Sequence, residues 1–376
     1  MKKFIYACLS VLFCLMAYSC GSKSQPVEKS KKVIIAYIAG FQGQVDINRI
    51  SAEKITHINY AFVDVQDGKA VLTNEATDTI NFRLLNQLKL KNPDLKIFIS
   101  IGGWTWSGNF SDAVLTEDGR KAFAKSAVEI MHKYDLDGVD VDWEYPTIPG
   151  LEGNVYRPED KQNFTLMFQA IREELDALEK QTNREYLLTA AVGGFQKYID
   201  NTEMDKVQQY LDYVNVMTYD YYNSDKTAHH TNLYASDRYD SPKSADAAIK
   251  AFIAAGVPAE KLVMGIAFYG RTFVVEEGSE DGLTATIVKQ INGDGYTFIK
   301  DSIIADSSYL KFRDEKALAP YLFNAEKNIF ITYEDEESVV EKCRYVIANR
   351  MAGVMFWEYN SDLQEYLLDE INETIR

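Results

Sequence analysis

A parallel (β/α)8 barrel, an α/β fold carrying a small α+β insertion, is the architecture this sequence predicts, and three observations lead to it. Eight short runs rich in β-branched and apolar residues recur after position 32, amphipathic stretches separate most of them, and one late connection is too long for a loop. The runs cover 33–38, 55–63, 96–101, 138–143, 186–192, 213–218, 262–268 and 353–357. Near-continuous apolar strands alternating with helices indicate a parallel sheet covered on both faces. Eight such units fit a closed barrel, whose working site lies at the C-terminal strand ends. A doubly wound open sheet competes with it. That fold would be helped by a glycine-rich phosphate loop after the first strand, and the chain has none there.

The helix-like stretches include 80–90, 117–134, 158–179 and 245–255. Asn or Asp often precedes them and Gly often follows, as caps should. After the seventh strand, residues 274–331 contain Gly282, Gly293 and Gly295, aromatic residues and short β-like pieces. A structureless loop of that length is improbable, so this segment is read as the α+β insertion. The barrel then spans 33–376.

Composition narrows the class of protein. The 376 residues are 46% hydrophobic and 26% charged, enough for a large core and unlike a disordered or membrane-embedded chain. The formal net charge of −16 argues against a nucleic-acid partner and leaves neutral or cationic ligands open. A monomer is expected.

The N-terminus carries its own pattern. Lys2 and Lys3 precede an apolar stretch over 4–18, followed by Ser19, Cys20 and Gly21. A basic start, an apolar middle and small residues at the cut read as an export signal over 1–19. The stretch is shorter than the roughly 18 residues of a membrane span. Ser19-Cys20-Gly21 resembles a bacterial lipoprotein lipobox. That resemblance implies lipidation of Cys20, a tether over 20–32 and a membrane anchor in the cell envelope, at the outer membrane, the surface or the periplasmic face. Ordinary secretion with an incidental cysteine is the alternative. Cys8 and Cys14 would leave with the signal, so Cys343 alone remains and no internal disulfide forms. Cys343 falls in a predicted helix, where packing explains it better than nucleophilic chemistry.

The chemistry concentrates in DGVDVDWEYP, residues 137–146. Residues two apart in a strand face the same side. Asp140, Asp142 and Glu144 therefore project into the lumen, while Val139, Val141 and Trp143 meet the surrounding helices. Asp137 is out of phase and braces the strand's start. Asp is disfavoured in strands, and burying carboxylates is costly unless protons, hydrogen bonds or a metal offset it. A solvated acidic face fits poorly beside the apolar alternate face. A divalent metal held by oxygen ligands is a second reading, one that loss of activity on chelation would support. The third is acid catalysis: Asp140 and Asp142 share a proton, and Glu144 stays protonated near neutral pH as general acid.

Here the chain resembles a known family. Asp137-Gly-Val-Asp140-Val-Asp142-Trp-Glu144 looks like the DxxDxDxE signature of glycoside hydrolase family 18, the chitinases and their relatives. Ser100-Ile-Gly102-Gly103-Trp104 is similar to the family's SxGG motif. Met217-Thr-Tyr219-Asp220, Tyr269-Gly-Arg271 and Met355-Phe-Trp357-Glu358 follow in the family's order.

The resemblance implies a retaining enzyme that cuts β-1,4 bonds of N-acetylglucosamine oligosaccharides or polymers, with no metal or other cofactor. This family departs from the usual two-carboxylate scheme by using the substrate's own acetamide. By that resemblance Glu144 protonates the leaving oxygen. Asp142 holds the acetamide nitrogen, Asp140 takes up the proton Asp142 releases, and Tyr219 hydrogen-bonds the acetamide oxygen. Trp357 would floor the sugar site with its flat indole, and Trp104 would stack a sugar on the leaving-group side. Tyr37, Phe62 and Gly103 would line the lumen side of the site, with Met217 packing beneath. Asp220, Tyr269 and Arg271 would grip sugar hydroxyls, and Ser100 would hydrogen-bond Asp140. His229-His230 lies in a loop without a third ligand nearby, against a metal site. An endo-β-N-acetylglucosaminidase acting on N-linked glycans and a non-catalytic chitin-binding lectin remain the alternatives.

Overall fold

The computed structural model describes residues 32–376. The signal 1–19, Cys20 and all of the tether except Lys32 lie outside the described residues. In chain order the strands are β1 Val33–Ala39, β2 His57–Gln66, β3 Lys69–Leu72, β4 Lys96–Gly102, β5 Gly138–Asp142, β6 Leu187–Gly193, β7 Tyr213–Met217 and β8 Leu262–Ala267. They continue as β9 Arg271–Val275, β10 Ile287–Ile291, β11 Leu310–Asp314, β12 Ala319–Asn324, β13 Ile329–Thr332 and β14 Gly353–Trp357.

Main-chain ladders run β1-β14-β8-β7-β6-β5-β4-β2, and a further β1–β2 pairing closes the ring. All eight contacts are parallel. This is a (β/α)8 barrel, with the eight strands that the apolar runs predict. Burial on both faces explains those runs, since β1, β5 and β8 have no exposed residue.

Helices cover the ring. The helix Glu117–Lys133 starts at Thr116, whose side chain accepts from the Gly119 N–H, and buries Phe123, Ala124, Ala127, Val128 and Met131. That spacing of three and four is one apolar stripe. The helix Asp160–Thr182 buries Phe164, Met167, Phe168, Ile171, Leu175 and Leu178 in the same way and ends at Asn183 in a left-handed conformation. Their outer-layer core also takes Trp143, Cys343 and the outward side chains of β5. Cys343 is buried in the helix Glu336–Ala348, where it packs.

Two features depart from the sequence reading. Run 55–63 is a longer strand, β2, which turns back into the antiparallel β3 with Gln66 opposite Lys69. Asp67 and Gly68, both at positive φ, make the two-residue turn. The insertion is α+β as expected and departs only in its bounds: a five-stranded antiparallel sheet ordered β10-β9-β13-β12-β11, with a short helical stretch over 296–303 between β10 and β11 and its own core of Phe273, Val275, Leu283, Tyr321, Phe323 and Phe330. Its sheet starts at Arg271 and ends at Thr332, slightly outside the expected 274–331.

Candidate active site

The lumen is built from alternate residues of the strands. Val33, Ile35, Tyr37, Val263 and Met355 fill it together with Ala61 and Phe62. Alternation from His57, Asn59 and Ala61 would turn Phe62 outward. The ladder between β2 and β4 slips between Ala61 and Val63, and a slip of this kind re-aims a side chain. Phe62 thereby joins Trp357 (ring centroids 5.4 Å apart, stacked), Trp106 (5.7 Å) and Phe41 (6.4 Å) in an aromatic wall.

Asp140 is fully buried in the middle of this lumen. Four donors reach it: Tyr37 Oη at 2.9 Å and Ser100 Oγ at 2.7 Å on one oxygen, Thr189 Oγ1 at 2.6 Å and Asn215 Nδ2 at 3.2 Å on the other. Burial pushes its carboxyl up, and those four bonds oppose the push. Asp142, one step nearer the mouth, is also buried, yet its Oδ1 has no partner. Burial, and then the nearby charges of Glu144 and Asp140, raise its carboxyl well above the usual range. Glu144 follows the end of β5. Burial lifts its carboxyl to about 7, with the Tyr145 phenol opposing and the charge of Asp220 adding to the rise.

The sharing of one proton by Asp140 and Asp142 stays an expectation of the sequence, for the charge of Asp140 raises Asp142 together with that of Glu144. Asp140 has its acceptor sites taken by four donors, and no hydrogen bond links it to Asp142. Asp142 and Glu144 are both pushed up, chiefly by burial, and repulsion from Glu144 and Asp140 adds to the rise at Asp142. Asp137 sits where the sequence puts it, at the barrel's far end. It accepts from the Ile97 N–H at 2.8 Å and pairs with Lys89 at 2.7 Å and with Arg184.

The loop after β4 fits closely against this strand. Gly102 and Gly103 both take positive φ, and a Cβ on Gly102 would lie 2.1 Å from the Asp142 carbonyl oxygen. A Cβ on Gly103 would lie 2.5 Å from the Phe62 ring. Both positions require glycine. Trp104 stands half out of the surface beside Tyr145, free to stack.

On the opposite side, Tyr219 packs edge-on to Tyr269 at 6.1 Å, with its hydroxyl 3.8 Å from Met355 Sδ. Burial holds both phenols protonated. Met217 lies beneath them in the lumen cluster. Asp220 and Arg271, expected to grip sugar hydroxyls, grip each other first through two bonds of 2.7 Å. Against the upward push of burial, His230 and Arg271 hold Asp220 well below the usual carboxylate range. His229 turns away to Asp314 at 3.2 Å, while His230 faces Asp220 at 3.6 Å.

Sequence reasoning missed Thr189, Asn215, Ser107, Trp106 and Phe41. Asn215 carried a signal: a polar residue between Tyr213 and Met217 in a buried strand must face the lumen.

The family model for Glycosyl hydrolases family 18 matches residues 33–362. The chain belongs to glycosyl hydrolase family 18. Within that family it is chitinase-like. It is 35% identical over 398 residues to Chitinase A1 of Niallia circulans, covering 89% of this chain and 56% of that protein. Chitotriosidase-1 of Mus musculus is 32% identical, with 82% of this chain and 67% of that protein covered. A solved family 18 N-acetylglucosaminidase from Paenibacillus barengoltzii superposes with a TM-score of 0.84 at 41% identity, over 91% of this chain and 99% of that one. The chain thus spans little more than half of the first of these relatives and nearly all of the last.

Proposed function

We propose that this family 18 chain hydrolyses β-1,4 bonds of N-acetylglucosamine-containing glycans, chitin or chito-oligosaccharides, with net retention and with the substrate's acetamide as nucleophile. The observation that carries this reading is the ladder of Asp140, Asp142 and Glu144, in which the inner carboxyl is saturated by donors and the two outer ones are pushed up by burial, Glu144 to about 7.

Glu144 gives its proton to the bridging oxygen as the C1–O bond breaks. The acetamide carbonyl oxygen bonds to C1 and the ring becomes an oxazolinium ion. Asp142, pushed up in the resting site, passes its proton to Asp140 as the positive charge forms, and its unpartnered Oδ1 then accepts from the acetamide N–H and stabilises that charge. Tyr219 donates to the acetamide oxygen side and holds the group in line. A water then loses its proton to Glu144 and attacks C1, which reopens the acetamide and returns the acid to its starting state. Trp357, backed by Phe62 and Tyr37, offers the sugar a flat apolar floor.

Incubation with chitotetraose and with a high-mannose glycopeptide, products read by mass, tests the reading. Cleavage of chitotetraose alone is expected. Cleavage of the glycopeptide alone would replace it with the N-glycan alternative, and binding without cleavage would leave a lectin. A strong effect of a thiazoline mimic of the oxazolinium is expected, and indifference would reject the acetamide route. The 41%-identical N-acetylglucosaminidase favours a second reading of the product pattern, release of single N-acetylglucosamine units from one end.

Export and anchoring through Cys20 belong to the same proposal. Labelling of the cell-grown protein with a fatty acid, lost in Cys20→Ala, is the expected result.

A further inference from the structure

The geometry points to Ser107 as the positioning residue that fixes the aim of Glu144. This inference rests on the reading of Glu144 as the acid. The ladder bonds of β5 end at Asp142, which lies opposite Gly102 on one side and Ala191 on the other. Glu144 comes two residues later, beyond the reach of either neighbouring strand. Its main-chain N–H donates instead to Ser107 Oγ at 2.9 Å. The one proton of that hydroxyl has two acceptors within reach, the carbonyl oxygens of Gly103 at 2.8 Å and Asp142 at 3.1 Å. The Gly103 N–H in turn donates to the same Asp142 carbonyl at 2.7 Å. One buried hydroxyl, 1% exposed, thus joins the main chain at both working carboxylates to the loop that carries Trp104 and Trp106.

The other side of Glu144 is held more weakly, its carbonyl accepting from Asn154 Nδ2 at 3.4 Å. Removal of Ser107 Oγ leaves a part-buried N–H without a partner, and the local chain must shift to find one. A shift of about 1 Å at a catalytic group can cost about a hundredfold in rate. Ser107 touches no substrate in this arrangement, so the loss should fall on kcat and spare KM. The hydroxyl also ties the loop that carries Trp104 to the main chain of Glu144.

Ser107→Ala and Ser107→Cys, the latter filling the space with a poor acceptor, test the assignment on chitotetraose beside Ser107→Thr, which restores a hydroxyl. Thermal midpoints and the stoichiometry of thiazoline binding count the folded, competent sites. The expected result is a fall in kcat of about 10- to 100-fold per competent site in the Ala and Cys variants, KM within about threefold, and recovery in the Thr variant. Wild-type kcat per competent site in either the Ala or the Cys variant would overturn the assignment. So would a loss accounted for wholly by fewer competent sites. Glu144→Gln run alongside separates the two levels: full activity there sinks the acid reading itself, whereas an inactive Glu144→Gln beside an unaffected Ser107→Ala sinks only the role of Ser107.

Discussion

Buried carboxylates occur in two regions of this barrel, and the two are built in opposite ways. At the seam between the insertion and the ring, Glu334 is buried against Lys342, whose ammonium also donates to the Thr231 carbonyl at 2.6 Å and to Thr231 Oγ1 at 2.7 Å. Ser338 donates to the other Glu334 oxygen at 2.6 Å. Asp314 in the same seam accepts from His229 and Ser236; burial pushes its carboxyl up, but these bonds hold it below the usual range. At the end of β5, Asp142 and Glu144 have no cation beside them, and both carboxyls are pushed up. The seam neutralises its charges and thereby fixes structure. The site leaves its outer carboxyls without a counter-charge, which on the proposed acid reading keeps a proton ready to give, an arrangement that costs stability.

Substitutions on the two sides should therefore fail differently. Glu144→Gln should lower turnover by about 10²- to 10⁴-fold while oligosaccharide binding and the fold persist; an active variant would remove the distinction at its centre. Lys342→Met should do the reverse. It strands Glu334 without a counter-charge and should cost about 3–5 kcal/mol in urea unfolding, with near-normal turnover in the molecules that remain folded. A variant as stable as the parent would show that the seam pair is dispensable.

A finer contrast lies in pH. The Glu144 carboxyl stands at about 7 in the folded protein against an ordinary value of 4.5. A raised carboxyl favours the folded state below its unfolded value, and that contribution is lost as pH rises through the folded value. Stability should fall by on the order of 2 kcal/mol between about pH 4.5 and 7, and Glu144→Gln should flatten that slope. An unchanged slope would place the titration elsewhere. Beyond that range, above about pH 7, kcat/KM should drop as the acid loses its proton. The smallest effect concerns Asp220, whose charge adds to the rise at Glu144. Asp220→Asn should move the basic limb of the rate profile to lower pH by less than about one unit, and a limb that moves up would reverse the assigned sign.

The same contrast explains which residues the amino-acid sequence reveals by itself. Inward acids on a buried strand are anomalous enough to announce themselves, so Asp140, Asp142 and Glu144 are legible from alternation alone. The eight strands are legible because both faces are apolar, and 117–134 meets its helix, Glu117–Lys133, within one residue. The first helix, Glu75–Gln87, starts five residues ahead of the expected 80–90, since its opening turn is polar and carries no apolar stripe. The β2–β3 hairpin escapes the sequence reading although Asp67-Gly68 marks it, because the run before it is complete as a strand on its own. Thr189 looks like any strand threonine. Ser107 sits in a loop without periodicity, and Phe62 faces inward only because the ladder slips beside it. Such residues act through a partner distant in sequence, which a local pattern does not contain.

Asp140 carries one more consequence, in the order of events along the folding path. Its four donors come from β1, β4, β6 and β7, and Asn215 Nδ2 also lies 3.5 Å from the Tyr37 hydroxyl, 178 residues away along the chain. Contacts so distant in sequence form late, because loop closure must come first. The inner carboxyl is therefore fully solvated by the protein only when the ring has shut, and recovery of turnover after dilution from denaturant would time that closure.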